Sequence, residues 1–241
     1  MASKSLARLK DTLPAALDLL IPPACLSCNA KLKAPVRFLC EDCAQSITLV
    51  REPFCPKCGS DISIGFCQNC LQTDFVFELS RSAVIYEGCI TQVIHKFKYN
   101  GYSSLGVFLA QFLFEAVQLY PEFEDYPLVM AVPLHRVRKR ERGFNQSEIL
   151  AKNLAKLSGK RYISPLCRRR YTRSQTLLDH NKRLTNTAGA FKVKKSDEVL
   201  DKKIIVIDDV FTTGSTLNEI SRELYKAGAQ KVACLTLSRA G

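Results

Sequence analysis

The chain of 241 residues lacks any apolar run that approaches the length of a membrane span. It also lacks the apolar core of a secretory signal, because Lys4, Arg8, Lys10, Asp11 and Asp18 interrupt its first segment. The leucines of that segment recur at helical spacing, which favours a helix packed on a domain over a membrane anchor. These absences predict a cytoplasmic protein whose thiols are reduced.

A polar loop follows a buried strand near the carboxyl end of the chain, and this loop lacks the lysine motif of nucleotide-binding P-loops. Residues 204–207 are four β-prone aliphatics, Asp208 and Asp209 stand at the end of this strand, and Ser215 follows Gly214 in the loop. The loop has no Gly-Lys-Ser/Thr, so a P-loop NTPase is excluded. A helical pattern over residues 217–226 and an apolar strand over residues 231–237 complete a βαβ unit.

The chemistry of this loop favours a phosphorylated sugar. Backbone N–H groups, hydroxyls and a helix N-terminus form an anion cradle for a monophosphate, built from Thr212, Thr213, Gly214, Ser215 and Thr216. Asp208 and Asp209 can accept hydrogen bonds from sugar hydroxyls and bind a hydrated Mg²⁺. Together these groups predict a ribose 5-phosphate ligand. The alternative is a strand end with an Asp cap and an ordinary polar loop.

The charge of the chain is uneven. Lys and Arg number 35 against 23 Asp and Glu, a net of +12, and residues 134–195 alone carry 18 against 3, a net of +15. One lobe is therefore strongly basic, which favours polyanionic ligands. Because aromatic rings are interleaved with these cations, we expect single-stranded DNA to bind there without sequence preference. The alternative is that these charges serve only the phosphorylated sugar ligand. Hydrophobic residues make up 46% of the chain, enough for a globular core.

Eight of the 11 cysteines form four Cys-x-x-Cys pairs: Cys25/Cys28, Cys40/Cys43, Cys55/Cys58 and Cys67/Cys70. Two such pairs complete one tetrahedral Cys₄ site, so the spacing predicts two structural zinc ions. Disulfides and iron or an Fe–S cluster are the alternatives. The pairing stays open: first with second and third with fourth is the simplest arrangement, and a crossed one is possible. A closed Cys₄ site leaves no position for catalysis, so this module is structural or a docking surface.

A second basic loop follows a buried strand over residues 128–133. Its residues 134–146 are rich in arginine, and a basic loop at the end of a parallel strand can hold pyrophosphate. We assign this role to Arg140, Arg142 and Gly143, with Lys98 nearby; a solvated charge run is the alternative. Ser147 is expected to cap the helix that follows.

The order of these features resembles the ComF family, also called ComFC or GntX-like. The resemblance rests on a Leu-rich helix, the cysteine module, Lys98-Tyr99-Asn100-Gly101, Arg142-Gly143-Phe144-Asn145-Gln146 and a PRPP (5-phosphoribosyl 1-pyrophosphate) motif at residues 204–216. Phe211 departs from the aliphatic residue usual before the phosphate loop. The resemblance implies an α/β, type I phosphoribosyltransferase-like parallel sheet flanked by helices. An N-terminal helix and a double zinc-ribbon-like module precede it, so that residues 1–74 and 75–241 form separate units.

The family also implies a mobile loop and a function. A long polar segment resembles the loop that closes over PRPP in type I enzymes, and it contains Arg173, Gln175, Arg183 and Asn186. Family members handle single-stranded DNA in the cytoplasm during natural competence, and the zinc module could engage a competence helicase or another DNA-processing protein. Two hypotheses follow: a DNA-uptake accessory protein that binds PRPP and Mg²⁺, or a phosphoribosyltransferase acting on an unidentified acceptor.

Overall fold

The computed structural model describes residues 24–33, 38–63, 65–99, 104–170 and 189–240. The predicted N-terminal helix and the predicted mobile-loop residues Arg173, Gln175, Arg183 and Asn186 lie outside these ranges. Within them, no helix combines the length and the apolar character that a bilayer crossing requires.

The helices described are α1 (Glu41–Gln45), α2 (Gln68–Gln72), α3 (Gly88–Tyr99), α4 (Leu105–Leu119), α5 (Arg136–Arg142), α6 (Gln146–Ser158) and α7 (Ser215–Lys226). Short 3₁₀ turns span Pro121–Phe123 and Ser196–Glu198. The strands are β1 (Leu79–Ile85), β2 (Leu128–Ala131), β3 (Arg161–Ile163), β4 (Leu166–Arg168), β5 (Phe191–Val193), β6 (Lys203–Phe211) and β7 (Lys231–Arg239).

Five of these strands form one parallel sheet in the order β1-β7-β6-β2-β3, and β4 pairs with β5 as a separate antiparallel ribbon. The chain leaves β2 through α5 and α6 to reach β3 on one side, and leaves β6 through α7 to reach β7 on the other. The direction of winding therefore reverses between β2 and β6. In open α/β sheets a ligand binds in the crevice at such a reversal, outside the carboxyl ends of the strands.

Alternation along the strands divides the core into two layers. In β6, Ile205 and Ile207 pack against α3, α4 and α6, whereas Ile204 and Val206 face α7. Because successive side chains of a strand point to opposite faces, a continuous aliphatic run covers both faces of a buried parallel sheet. The predicted α/β class with helices on both faces is confirmed.

The cysteine module packs against this sheet and also extends it. Residues 48–50 run antiparallel to the outer edge of β1: the Val50 N–H donates to the Ala83 carbonyl at 3.1 Å, and the Ile85 N–H donates to the Thr48 carbonyl at 2.8 Å. The free edge of β1 is therefore covered by a segment between the second and third cysteine pairs.

Three local expectations need correction. The segment after β2, expected to be a basic loop, contains the helix α5, which ends at Gly143 in the left-handed conformation with φ of 80°. Asn145, and not Ser147, precedes the first residue of α6. The strand β6 continues through Asp208 and Asp209 to Phe211, so the two carboxylates lie within its second half and not beyond its end.

Candidate functional site

The two carboxylates of β6 lie at the switch point and contact both neighbouring helices. The Ser147 hydroxyl of α6 donates to Asp208 Oδ1 at 2.8 Å, and the Asp209 N–H donates to the same oxygen at 2.9 Å. The Lys98 ammonium at the end of α3 lies 3.0 Å from Asp209 Oδ2. The structure thus brings the predicted Lys98 to the predicted carboxylates.

Burial controls the protonation of this pair. Burial of the Asp208 carboxyl and then repulsion by Asp209 raise its pKa to about 7, against the opposing effects of the Ser147 hydroxyl and Lys98. Burial acts to lower the pKa of Lys98, but attraction to Asp209 outweighs it and the pKa is raised. Two close carboxylates with one ammonium form a site that a divalent cation would favour, since the metal would replace the proton of Asp208.

The predicted phosphate loop, residues 212–216, joins β6 to α7. Gly214 adopts the left-handed conformation with φ of 72° and precedes the first residue of α7. The Thr213 hydroxyl lies 3.0 Å from the Ser215 hydroxyl and accepts from the Ser215 N–H at 3.4 Å. Thr213 and Gly214 are buried, whereas Thr212 is exposed and Ser215 and Thr216 are half-buried. Hydroxyls and N–H groups of a helix start are thereby gathered at one strand end.

The space around Gly214 is closed by two phenylalanine rings. A Cβ atom on this glycine would lie 2.6 Å from Phe211 and 2.7 Å from Phe75. The two rings contact each other edge to face, with centroids 6.3 Å apart. Phe211, the unusual residue of the motif, therefore packs against the loop. Phe75, from the segment that leaves the cysteine module, packs against it as well.

Three of the four residues predicted to bind pyrophosphate lie together in the structure, and the fourth does not. Arg142 stacks on the Tyr99 ring at 4.9 Å and donates to Gln146 Oε1 at 3.2 Å, so it lies over the end of α3 near Lys98. Gly143 ends α5 beside it. Arg140 is exposed on α5. Arg142, Gly143 and Lys98 thus lie together, and Arg140 points to solvent.

A cavity of about 740 Å³ opens at the carboxyl ends of β2 and β3. Its cationic lining residues come from α5, from β4 and from the residues directly after β4 and β5: Arg136, Lys139, Arg168, Arg169 and Lys194. Glu148 is an acidic lining residue, and it pairs with Lys139 at 3.3 Å and with Lys152 at 2.7 Å. A cavity with this lining favours an anionic ligand.

The eight paired cysteines form two clusters, and each cluster combines neighbouring pairs. Cys25, Cys28, Cys40 and Cys43 form the first cluster, and Cys55, Cys58, Cys67 and Cys70 form the second, with all sulfur atoms of a cluster within 4.8 Å of one another. The sequential arrangement is therefore the one observed.

The sulfur distances within each cluster fit zinc. Tetrahedral zinc with Zn–S bonds of about 2.3 Å holds its sulfur atoms about 3.8 Å apart. The Cys28–Cys40 pair measures 3.6 Å, Cys58–Cys67 3.4 Å and Cys55–Cys70 3.7 Å. In the first cluster, burial opposes ionisation of Cys25, but N–H groups of Cys40, Cys28 and Ser27 outweigh it and lower the pKa to about 6, whereas hydrogen bonding with the Cys40 thiol and burial raise the pKa of Cys43 to about 12. Thiolate at neutral pH is the form that a metal requires.

The remaining cysteines are not zinc ligands among the described residues. Cys234 is completely buried, and Cys89 is buried with its thiol 3.0 Å from the Cys43 carbonyl. The spacing of Cys89, Cys167 and Cys234 in the sequence favours buried apolar residues for all three, and this is wrong for Cys167, which is only half-buried and lines the basic cavity.

Four structural side chains were missed by the sequence argument. Ser147 was expected to be a cap and instead holds Asp208. Arg81 and Arg239, each at most 6% exposed, donate to carbonyl groups of the third cysteine pair, and Asn218 of α7 binds the backbone of residues 74 and 76. Arg81 is flanked by two serines in β1 and Arg239 is the last residue of β7, so the local sequence does not mark either arginine as buried.

Comparison with known proteins agrees with this geometry. The sequence matches the family described as "Double zinc ribbon domain" over residues 16–71 and the family described as "Phosphoribosyl transferase domain" over residues 116–241. The fold and the site thus define a phosphoribosyltransferase-type protein that carries a double zinc ribbon.

Relatives that align over about 90% of this chain identify its family. "Competence protein F" of Haemophilus influenzae is 29% identical over 90% of this chain and 96% of its own, and "Competence protein ComFC" of Streptococcus pneumoniae is 29% identical over 89% and 99%. "DNA utilization protein YhgH" of Salmonella typhi is 31% identical over 92% of this chain and 99% of its own. The chain belongs to the ComF family.

Proposed function

We propose that this chain binds PRPP with Mg²⁺ at the switch point and handles single-stranded DNA in the cytoplasm during DNA uptake. The observation that carries the first part is the convergence of Lys98, Asp208 and Asp209 beside the phosphate loop. In this proposal Thr212, Thr213, Gly214, Ser215 and Thr216 hold the 5-phosphate.

The carboxylates and the cations have complementary roles in the bound state. Asp208 and Asp209 would hold the ribose hydroxyls and Mg²⁺, and Lys98 would then no longer pair with Asp209. The released ammonium then joins Arg142 and the Gly143 backbone at the pyrophosphate, with Arg140 at the margin. The loop containing Arg173, Gln175, Arg183 and Asn186 closes over the ligand. The 3.0 Å ion pair thus keeps the metal position neutralised until ligand and metal arrive together.

Calorimetric titration of PRPP with Mg²⁺ tests this assignment. The double variant Asp208→Asn/Asp209→Asn loses charge-assisted hydrogen bonds worth about 1.5–3 kcal/mol each, so its affinity should fall by at least a hundredfold. The control, Asp197→Asn/Asp201→Asn, makes the same change in net charge at exposed positions. Equal affinity of wild type and the Asp208/Asp209 variant would refute the assignment.

Two observations support the DNA part of the proposal. The first is the basic cavity beside the PRPP position, whose five lining cations are additional to Lys98, Arg140 and Arg142, the cations assigned to pyrophosphate. The second is the printed names of the relatives, which refer to competence and DNA utilization. The zinc ribbon is proposed as the docking surface for a competence helicase or another DNA-processing protein, because closed Cys₄ sites leave no catalytic position.

Fluorescence anisotropy with a labelled single-stranded oligonucleotide tests the DNA part. Arg169→Glu/Arg170→Glu changes two exposed cations and leaves Arg168, whose guanidinium stacks on the Phe191 ring at 5.3 Å. Each lost phosphate contact should make the slope of log K against log salt shallower by about 0.7. Arg222→Glu/Lys226→Glu is the matched control on the exposed face of α7. Absence of binding by the wild type at low salt would remove the DNA role.

The alternative is an enzyme that transfers ribose 5-phosphate to an acceptor. The cavity of about 740 Å³ favours it, since this space adjoins the switch point and could admit a second substrate. A screen for pyrophosphate release from PRPP with candidate acceptors separates the two functions: release that depends on an acceptor identifies the enzyme.

A further inference from the structure

The second cysteine cluster is joined to the end of β7 by a buried arginine. Arg239 donates from Nη1 to the Cys58 carbonyl at 2.8 Å and from Nη2 to the Ser60 hydroxyl at 2.7 Å. Its side chain is only 6% exposed. The turn that receives these bonds packs closely against β1, because a Cβ on Gly59 would lie 2.6 Å from the Ser80 carbonyl oxygen.

The same guanidinium supports the phosphate loop on its other side. It lies 4.2 Å from the centroid of the Phe211 ring, and this ring is one of the two that enclose Gly214. A planar guanidinium stacked on an aromatic face fixes the orientation of both groups. The N–H groups of Arg239 therefore bind the turn of the second cluster, and the flat face of its guanidinium packs on Phe211 beside the loop.

A second and independent connection uses the segment that leaves the cluster. Asn218 in the first turns of α7 accepts from the Val76 N–H at 2.8 Å and donates to the Asp74 carbonyl at 2.9 Å. Between these two residues, Phe75 places its ring against Gly214. Phe211 is thus held by an arginine that contacts the second cluster, and Phe75 by a segment that leaves this cluster and is fixed to α7.

The first cluster packs elsewhere. Cys25 belongs to the core layer that contains α3 and α4, and the Cys43 carbonyl accepts from the Cys89 thiol. Cys55 and Cys58 belong to the opposite layer, together with Phe75, Phe211 and α7. The two clusters are therefore attached to different faces of the sheet, and the phosphate loop lies on the face of the second.

From these contacts we propose that Arg239 is a positioning residue that makes the phosphate loop depend on the metal in the second cluster. A Cys₄ zinc site carries a net charge of −2, which compensates the buried guanidinium. When the metal is removed, the Cys55–Cys58 turn loses its shape and Arg239 loses its charge partner. The ring of Phe211 is then released, and the N–H groups of the loop leave the positions that a phosphate needs. The identity of that phosphate ligand rests on the function proposed above; the connection itself does not.

Hydrogen exchange of residues 211–218 in the ligand-free, zinc-loaded chain tests this proposal, together with titration of ribose 5-phosphate. Arg239→Met should raise the exchange rate of these amides about tenfold and weaken ribose 5-phosphate about tenfold, which corresponds to about 1.4 kcal/mol. Arg239→Lys can still donate to Cys58 but cannot stack, so it should give a smaller change. Zinc content is measured for each variant.

The matched control is Arg81→Met. Arg81 is 5% exposed and donates to the Pro56 carbonyl of the same turn at 2.8 Å, but its guanidinium lies against Phe54 and Tyr120, not against Phe211. The Arg81→Met substitution should leave the hydrogen-exchange rates of residues 211–218 and the affinity for ribose 5-phosphate unchanged. In the same way, Cys58→Ser should loosen the loop, whereas Cys43→Ser in the first cluster should not.

The outcomes separate this proposal from the proposed function. If wild type fails to bind ribose 5-phosphate but the exchange rates differ as described, the PRPP assignment fails and the connection stands. If Arg239→Met and Arg81→Met change the loop equally, or if neither changes it, the positioning role of Arg239 is overturned. The same conclusion follows if Cys43→Ser loosens the loop as much as Cys58→Ser does.

Discussion

Replacement of Gly214 by alanine tests how tightly the phosphate loop is enclosed. The residue has φ of 72°, a conformation that L-residues adopt at a cost of about 1–2 kcal/mol. The new methyl would also lie 2.6 Å and 2.7 Å from the rings of Phe211 and Phe75, which are both buried. Forcing a methyl into a packed core typically costs about 1–3 kcal/mol more. The total destabilisation should therefore be about 2–5 kcal/mol.

Gly159 provides the matched control because it separates strain from crowding. It ends α6 with φ of 69°, and a Cβ there meets no atom within 4 Å. Gly159→Ala should cost only the conformational part, about 1–2 kcal/mol. The difference between the two variants, about 1–3 kcal/mol, measures the contact with the rings.

Urea denaturation of both variants at one pH and zinc concentration gives the two free energies of unfolding. Titration with ribose 5-phosphate then shows whether the backbone around residue 214 has moved: Gly214→Ala should bind at least tenfold more weakly, and Gly159→Ala should bind as wild type does. Equal destabilisation by the two substitutions would refute the enclosure by Phe211 and Phe75. Unchanged ribose 5-phosphate affinity in Gly214→Ala would show that the loop does not hold the phosphate.

Further predictions concern the metals and the pH. Metal analysis should find two zinc ions per chain, and Cys58→Ser or Cys25→Ser should each remove one; purified reduced protein without zinc would contradict both cluster assignments. Because the pKa of Asp208 is raised to about 7, the proton must leave before Mg²⁺ binds, so Mg²⁺-dependent PRPP affinity should fall about tenfold from pH 8 to pH 6. In Asp208→Asn this part of the pH profile should be absent, and an identical profile in the two proteins would assign the titration to another group.

The sheet could be predicted because its strands carry their signature locally. The aliphatic run at residues 204–207 places alternate side chains on two faces, and the structure distributes them between the two core layers as expected. The cysteine clusters could be predicted for the same reason, since the metal sets the spacing of the two cysteines in each Cys-x-x-Cys pair. In both cases the deciding residues are neighbours in the chain.

The supporting contacts of the site could not be predicted, because they join residues far apart in sequence. Ser147 donates to a carboxylate 61 positions away, and Arg239 donates to a carbonyl 181 positions away. The basic segment after β2 was expected to be a loop because its arginines suggested a ligand. The helix α5 forms there since arginine and lysine have good helix propensity and Gly143 supplies its left-handed end.

The antiparallel pairing of residues 48–50 with β1 has a consequence for the behaviour of the protein in concentrated solution. An uncovered outer strand offers free N–H and C=O groups to another chain and nucleates edge-to-edge assembly. Here that edge is covered by a segment that lies between two zinc ligands, Cys43 and Cys55. Because zinc ligands lie on both sides of this segment, we expect chelation of zinc to loosen it, uncover the edge of β1 and promote edge-to-edge assembly.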